Sequence, residues 1–75
     1  MRYGTFYYDK SIGRYDIIFE DGSYYGGLSC GTGFEVFINN NWINTGIEYD
    51  HSTNEWYLSA KGLNDTRIDG LVVRI

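Results

Sequence analysis

Residues 28–58, LSCGTGFEVFINNNWINTGIEYDHSTNEWYL, decide the fold class of this chain. Apolar and aromatic residues alternate with polar ones in three short runs, and Gly, Asn, Asp and Ser occupy the breaks between the runs. Alternation with a period of two, interrupted by turn-forming residues, is typical of antiparallel strands joined by short turns. The stretch therefore predicts a small antiparallel sheet that bends into a barrel.

The rest of the chain extends the same pattern. Residues 3–20 hold two further runs around a turn near Gly13, which predicts an N-terminal hairpin, and the terminal LVVRI predicts a last strand that pairs in the sheet. No window shows helical periodicity. We therefore expect one all-β domain over residues 1–75, with a hairpin at about 3–20 and a small, partly open SH3-like barrel at about 28–75. Five to six antiparallel strands are expected in all, and a flat meander of five or six strands is the alternative.

The amino-acid composition argues against several classes of function. The chain has 75 residues, a net charge of −4, and 19% aromatic residues, and its Lys and Arg are scattered. Phosphate binding depends on clustered Lys and Arg, so a nucleic-acid partner is not expected. No apolar run is long enough to span a membrane, and no secretory signal is visible. The single Cys30 offers neither an internal disulfide nor a zinc site, which fits a cytoplasmic protein without a cofactor or metal.

Tyrosines beside glycines form the best candidate for an exposed contact site. Tyr24 and Tyr25 precede Gly26 and Gly27, and this composition predicts an irregular loop or a short bulged edge strand between residues 23 and 33. Loops carry binding residues more often than strands do, and Tyr offers a large, rigid ring together with a hydroxyl. The alternative is that one Tyr plugs the end of the barrel and the glycines only permit the turn.

A second candidate is an aromatic cage. Trp42, Tyr49, Trp56 and Tyr57 lie on successive predicted strands, and converging rings attract a cationic side chain. The alternative is that Trp42 and Trp56 are core rings on neighbouring strands. The candidate partner-binding residues are Tyr24, Tyr25, Trp42, Tyr49 and Tyr57.

Residues able to perform catalysis do not form a recognisable set. His51 follows Asp50 in a polar turn, without a nucleophile near it in the sequence, and is interpreted as a solvated turn residue. Cys30 lacks a cationic neighbour and is interpreted as a small buried residue. The dispersed Asp and Glu residues predict a solvated outer face. We expect no catalytic residue and no metal ligand.

Several fixed spacings carry a family resemblance. They are L-x-C-G-x-x-F-E-V-F-I-N-x-x-W-I-x-T-x-I-E, then E-W-Y-L, then D-G-L-x-V-R-I at the end of the chain. This pattern resembles a family of short proteins of unknown function from Gram-positive bacteria and their phages and mobile elements. Where that family tends to have an Asn-Gly turn, this chain has Asn40 and Asn41. The resemblance implies no mechanism, but it implies an accessory role on a phage or plasmid.

The function expected from these observations is a non-enzymatic, acidic interaction module that binds a protein partner. Its negative charge suits a basic partner. The protein is expected to be a monomer or an edge-paired homodimer. The alternative is binding of single-stranded nucleic acid through bases that stack on an aromatic barrel face.

Overall fold

The computed structural model describes all residues, 1–75, and contains no helix. The strands form one open antiparallel sheet in the order β2-β1-β6-β3-β4-β5. The all-β class and the number of strands are therefore confirmed, and the likeness to SH3-like barrels stays a prediction. The six strands are β1 Tyr3–Asp9, β2 Arg14–Phe19, β3 Gly33–Ile38, β4 Asn41–Asp50, β5 Glu55–Leu58 and β6 Val72–Arg74.

The C-terminal strand joins the two halves of the sheet. Val73 of β6 pairs with Gly4 of β1 on one side and with Val36 of β3 on the other. The predicted pairing of the last strand is confirmed. The meander alternative is wrong here, because a meander would place β6 beside β5 rather than between the two hairpins.

Two asparagines make the turn between β3 and β4. Asn39 and Asn40 have φ values of 51° and 64°, and the flanking Ile38 and Asn41 pair with each other. A two-residue hairpin turn that matches the strand twist requires positive φ at both central positions, and Asn tolerates this conformation better than most residues. The short turn predicted at this break between strands is confirmed.

The core lies on one face of the sheet and is closed by connecting segments. Phe6 of β1 and Phe34 of β3 meet edge to face, with their ring centroids 5.0 Å apart. Leu28 and Ile68, from segments outside the strands, close the core. Its eleven buried apolar residues are Phe6, Ile17, Phe19, Leu28, Phe34, Val36, Ile47, Leu58, Leu63, Ile68 and Val73.

Residues 23–28 cover the outer edge of β2. The amide of Phe19 donates to the carbonyl of Ser23, the amide of Tyr25 to Ile17, and the amide of Leu28 to Tyr15. The irregular path expected for this segment is confirmed, with a bulge further on, at Gly31. Because an uncovered edge strand invites pairing with other chains, this arrangement protects one edge of the sheet.

A buried carboxylate holds that covering segment in place. Asp16 is 3% exposed, and its Oδ1 accepts hydrogen bonds from the amides of Ile17, Gly26 and Gly27 at 2.8–2.9 Å. Its Oδ2 accepts one from the Tyr7 hydroxyl at 3.3 Å. The prediction that all acidic residues lie on a solvated face is wrong at Asp16, because these donors replace its hydration.

Candidate functional site

Two aromatic pairs stand at the same end of the molecule, one in each outer hairpin. Tyr8 of β1 lies directly opposite Tyr15 of β2, and Tyr49 of β4 lies opposite Trp56 of β5. Each ring is two residues from a fully buried core residue of its own strand, so it projects on the core-facing side of the sheet. The four rings therefore continue the core toward solvent.

The rings of each pair meet edge to face. The centroids of Tyr8 and Tyr15 are 5.2 Å apart with an interplanar angle of 74°, and those of Tyr49 and Trp56 are 4.9 Å apart at 64°. The imidazole of His51 packs on Tyr49 at 5.0 Å. Edge-to-face contacts fix ring orientation, so each pair forms a fairly rigid wall.

An open cleft of about 520 Å³ separates the two walls, and we call it the hairpin cleft. β2 and β5 are the two ends of the sheet, so the sheet must curl strongly for both to line one cleft. Its volume lies in the range typical of binding pockets. The lining residues are Tyr8, Gly13, Arg14, Tyr15, Cys30, Tyr49, His51, Asn54, Glu55 and Trp56.

A second cavity, of about 530 Å³, lies between β5 and the connector to β6, and we call it the β5-edge groove. Tyr15, Glu55 and Trp56 line both cavities, so the two are adjacent. Three carboxylates and one guanidinium line the groove, which gives it a negative charge. Its residues are Tyr15, Asp50, Thr53, Glu55, Trp56, Tyr57, Asn64, Asp65, Thr66, Arg67 and Ile68.

The carboxylate of Asp50 is held in its charged form. The hydroxyl and the amide of Ser52 both donate to Asp50 Oδ1, at 2.6 and 2.9 Å. These bonds lower the pKa of the Asp50 carboxyl below its ordinary value. The Asp50 carboxylate therefore keeps its negative charge in mildly acidic solution.

Burial raises the pKa of the Tyr15 phenol from 10.0 to about 12, and the nearby Asp69 carboxylate adds to this effect. Between these two pH values the unfolded chain loses the Tyr15 proton while the folded chain keeps it. We therefore expect the free energy of unfolding to fall as pH rises from about 10 to about 12. The Tyr15→Phe variant removes this part of the pH dependence. Urea unfolding curves across the alkaline range test it, and equal pH dependence in both proteins contradicts it.

The predicted aromatic cage does not form. Trp42 lies on the opposite face of the sheet from Tyr49 and Trp56, because side chains alternate along β4 and β5. The Arg74 guanidinium stacks on the Trp42 ring at 4.2 Å and also bonds Glu35 at 2.8 Å. The Trp42 ring is thus occupied by a cation of its own chain. The core-ring interpretation is also wrong for Trp42, and it is right for Trp56, which packs against the core.

The other candidate residues are dispersed. Tyr49 lines the hairpin cleft, and Tyr57 lines the β5-edge groove. Tyr24 and Tyr25 are 58% and 42% exposed on the segment that covers β2, where Tyr24 packs on Tyr7. Their predicted exposure is confirmed, and their binding role stays a prediction.

The sequence analysis did not identify the wall of the cleft that Tyr8 and Tyr15 form. Tyr8, Tyr15 and Arg14 were not named as candidates, although all three line it. The signal was present, because rings at equal distances from a hairpin turn face each other once the turn is known. The predicted burial of Cys30 is also wrong, since the turn at Cys30 and Gly31 carries the thiol to the surface. His51 is exposed as predicted.

The fold and the cleft define a class of protein: a small all-β domain on one open, curled antiparallel sheet. Residues 4–75 match the family described as a domain of unknown function, DUF5348, and the chain belongs to that family. It is similar to a protein from Ruminococcus gnavus with a crystal structure, at 47% identity over 99% of this chain and 100% of that one, with a TM-score of 0.84.

No curated protein matches the chain. The structure has no helix with the length and apolarity that crossing a membrane requires. It also has no group of three His, Cys, Asp or Glu side chains arranged to hold a metal ion.

Proposed function

We propose that this protein is a non-enzymatic interaction module, and that a protein partner binds it in the hairpin cleft. The observation that carries the proposal is the pair of aromatic walls at one end of the core. Tyr8, Tyr15, Tyr49 and Trp56 face one open space instead of closing it. The proposal includes a cytoplasmic setting and an accessory role on a phage or plasmid.

Leaving partly exposed rings on a core-facing surface in contact with water is unfavourable in free energy. A large ring buries roughly 150–250 Å² when it is fully packed, and apolar burial is worth about 25 cal/mol per Å². A partner that fills the cleft completes this burial. Because the walls are held by edge-to-face contacts, little ordering cost remains at binding. Tyr and Trp are the residues most enriched at binding hot spots.

Unpaired donors in the cleft add specificity. The Tyr8 hydroxyl and the indole N–H of Trp56 donate to no group of the chain. A peptide supplies carbonyl acceptors for such donors. The cleft therefore offers an incoming segment both apolar area and hydrogen bonds.

Charge favours a basic protein over the nucleic-acid alternative. Asp50, Glu55 and Asp65 line the β5-edge groove, which shares Tyr15 and Trp56 with the cleft. A phosphate backbone that stacked its bases on these rings would pass close to the carboxylates, and like charges repel. Basic side chains of a protein partner gain from the same charges.

We test the proposal with two matched tyrosine variants. A peptide selected by display against the wild-type protein should bind Tyr8→Ala roughly tenfold or more weakly, because Tyr8 is part of a cleft wall. Tyr24→Ala removes a more exposed ring outside the cleft and should bind as the wild type does. Isothermal titration calorimetry with each variant gives the dissociation constants.

The outcome also decides between two surfaces of this molecule. Loss of binding in Tyr24→Ala with retention in Tyr8→Ala would place the partner on the loop at residues 23–28 and contradict the proposal. Thermal unfolding of both variants checks that each remains folded under the conditions of the titration.

A further inference from the structure

The sheet has two edge strands, and only one of them is covered along its length. Residues 23–28 hydrogen-bond to the outer edge of β2 through three backbone bonds. No backbone bond joins the outer edge of β5 to the connector at residues 59–71, whose backbone bonds run to itself, to β1 and to Gly46 of β4. β5 is thus the open edge of the sheet.

Hydrogen bonding of β4 shows which backbone groups of β5 point outward. The N–H and C=O of Ile47 both bond to the bulge at Gly31 and Thr32, on the side away from β5. Pairing between β4 and β5 therefore runs through Glu48 and Tyr57. Because bonded and non-bonded positions alternate in an antiparallel ladder, the N–H and C=O of Trp56 point to the outer edge.

The edge is open at Trp56 and closed at its C-terminal end. The carbonyl of Leu58 accepts a hydrogen bond from the Asn64 amide at 2.8 Å, and Leu58 is fully buried. Trp56 is only partly buried and lines the β5-edge groove. The open backbone pair thus faces a space of about 530 Å³.

We infer that an extended, basic segment of the protein partner lies in the β5-edge groove and pairs with the backbone of Trp56 as an added strand. This inference rests on the proposed function and names the form of its partner. Strand addition to an open sheet edge is an established mode of peptide recognition, with affinity from main-chain bonds and specificity from alternate side chains.

The register of the added strand sets its side-chain pattern. A residue opposite Trp56 points to the core-facing side and into the hairpin cleft, where an apolar side chain fits between the rings. Its neighbours point to the other face, where one of them lies beside Glu55, which in turn pairs with Asp50 of β4. The segment that fits is therefore one in which apolar and basic residues alternate.

A second copy of the chain is a poorer occupant of the same groove. Pairing β5 with β5 would bring Asp50, Glu55 and Asp65 of both copies together. Like charges that are brought close together repel, which weakens such a pair. Charge thus selects a basic partner and opposes edge-paired dimers.

Amide exchange measured by NMR on the ¹⁵N-labelled protein tests the inference. The probes are two synthetic peptides of equal length, one alternating Val with Lys and the other alternating Val with Glu. The Val–Lys peptide should slow exchange of the Trp56 amide about tenfold or more, and should leave the Tyr57 amide, already bonded to β4, unchanged. The Val–Glu peptide should not bind.

Charge variants give a matched control. Glu55→Gln should weaken binding of the Val–Lys peptide several-fold, because it removes a carboxylate beside the added strand. Glu20→Gln removes the same charge from an exposed position outside the groove and should have no effect.

Each of the following outcomes would overturn the inference, and the proposed function could still be tested separately. Binding of the Val–Lys peptide without protection of Trp56 would exclude an added strand. Equal binding of the Val–Glu peptide would exclude charge selection, and protection that grows with protein concentration alone would identify a second copy as the occupant. Failure of both peptides, while display-selected ligands still depend on Tyr8, would refute the extended basic segment and retain the cleft.

Discussion

Asp16→Ala should be among the most damaging single changes in this protein, with an expected loss of about 3–4 kcal/mol in the free energy of unfolding. Hydrogen bonds to a charged group contribute roughly 1.5–3 kcal/mol each, and a buried amide left without an acceptor costs about 1–3 kcal/mol. Asp16 accepts three amide bonds through one oxygen. Urea unfolding followed by circular dichroism measures the loss.

The same variant should also expose a sheet edge. Without Asp16, the segment at residues 23–28 loses its bonds at Gly26 and Gly27, and the outer edge of β2 becomes available for pairing. We therefore expect concentration-dependent association of Asp16→Ala by light scattering. Asp16→Asn keeps an acceptor oxygen and should lose less stability. A stability of Asp16→Ala within about 0.5 kcal/mol of the wild type, which is usual for surface changes, would contradict the account.

Phe6→Ala should lower the free energy of unfolding by about 3–5 kcal/mol, the range for removing a buried ring. Phe6 is fully buried and contacts Phe34 across the short strand β6. A cavity at position 6 would weaken the packing between the two hairpins that supply the walls of the cleft. Thermal and urea unfolding together measure the effect.

Phe6→Leu is the matched control for that variant. It keeps much of the apolar volume and leaves a smaller cavity, so it should cost less stability than Phe6→Ala. Phe6→Leu should therefore retain a cooperative transition closer to that of the wild type. Equal losses in both variants would show that ring volume at this position does not hold the hairpins together.

The strands could be predicted from the sequence because their signals are local. Alternation in residues 34–38 and the asparagines at 39 and 40 specify a hairpin whatever the rest of the chain does. The position of β6 could not be predicted in the same way. Its pairing with β1 and β3 depends on contacts between distant parts of the chain, which local alternation does not encode.

The site was harder to predict than the fold, for a similar reason. Tyr49 was named as a candidate, but its partners in the cleft include Tyr8 and Tyr15 from the other end of the sheet. Only the curl of the sheet brings these rings together. The exposure of Asp16 was predicted wrongly for a different reason. The alternation along β2 predicts an exposed side chain at this position, but its burial depends on two glycine amides that lie ten and eleven residues further along the chain.

The most direct test of the central claim uses the two tryptophans, which lie on opposite faces of the sheet. Trp56 lines the hairpin cleft, and Trp42 stacks on Arg74 at the other face. With both replaced by fluorotryptophan, ¹⁹F NMR reports each ring separately as a display-selected peptide is added. The account predicts that the Trp56 resonance shifts and saturates while the Trp42 resonance stays in place. A saturable shift of Trp42 alone would show that the partner binds the other face, and the account would be wrong.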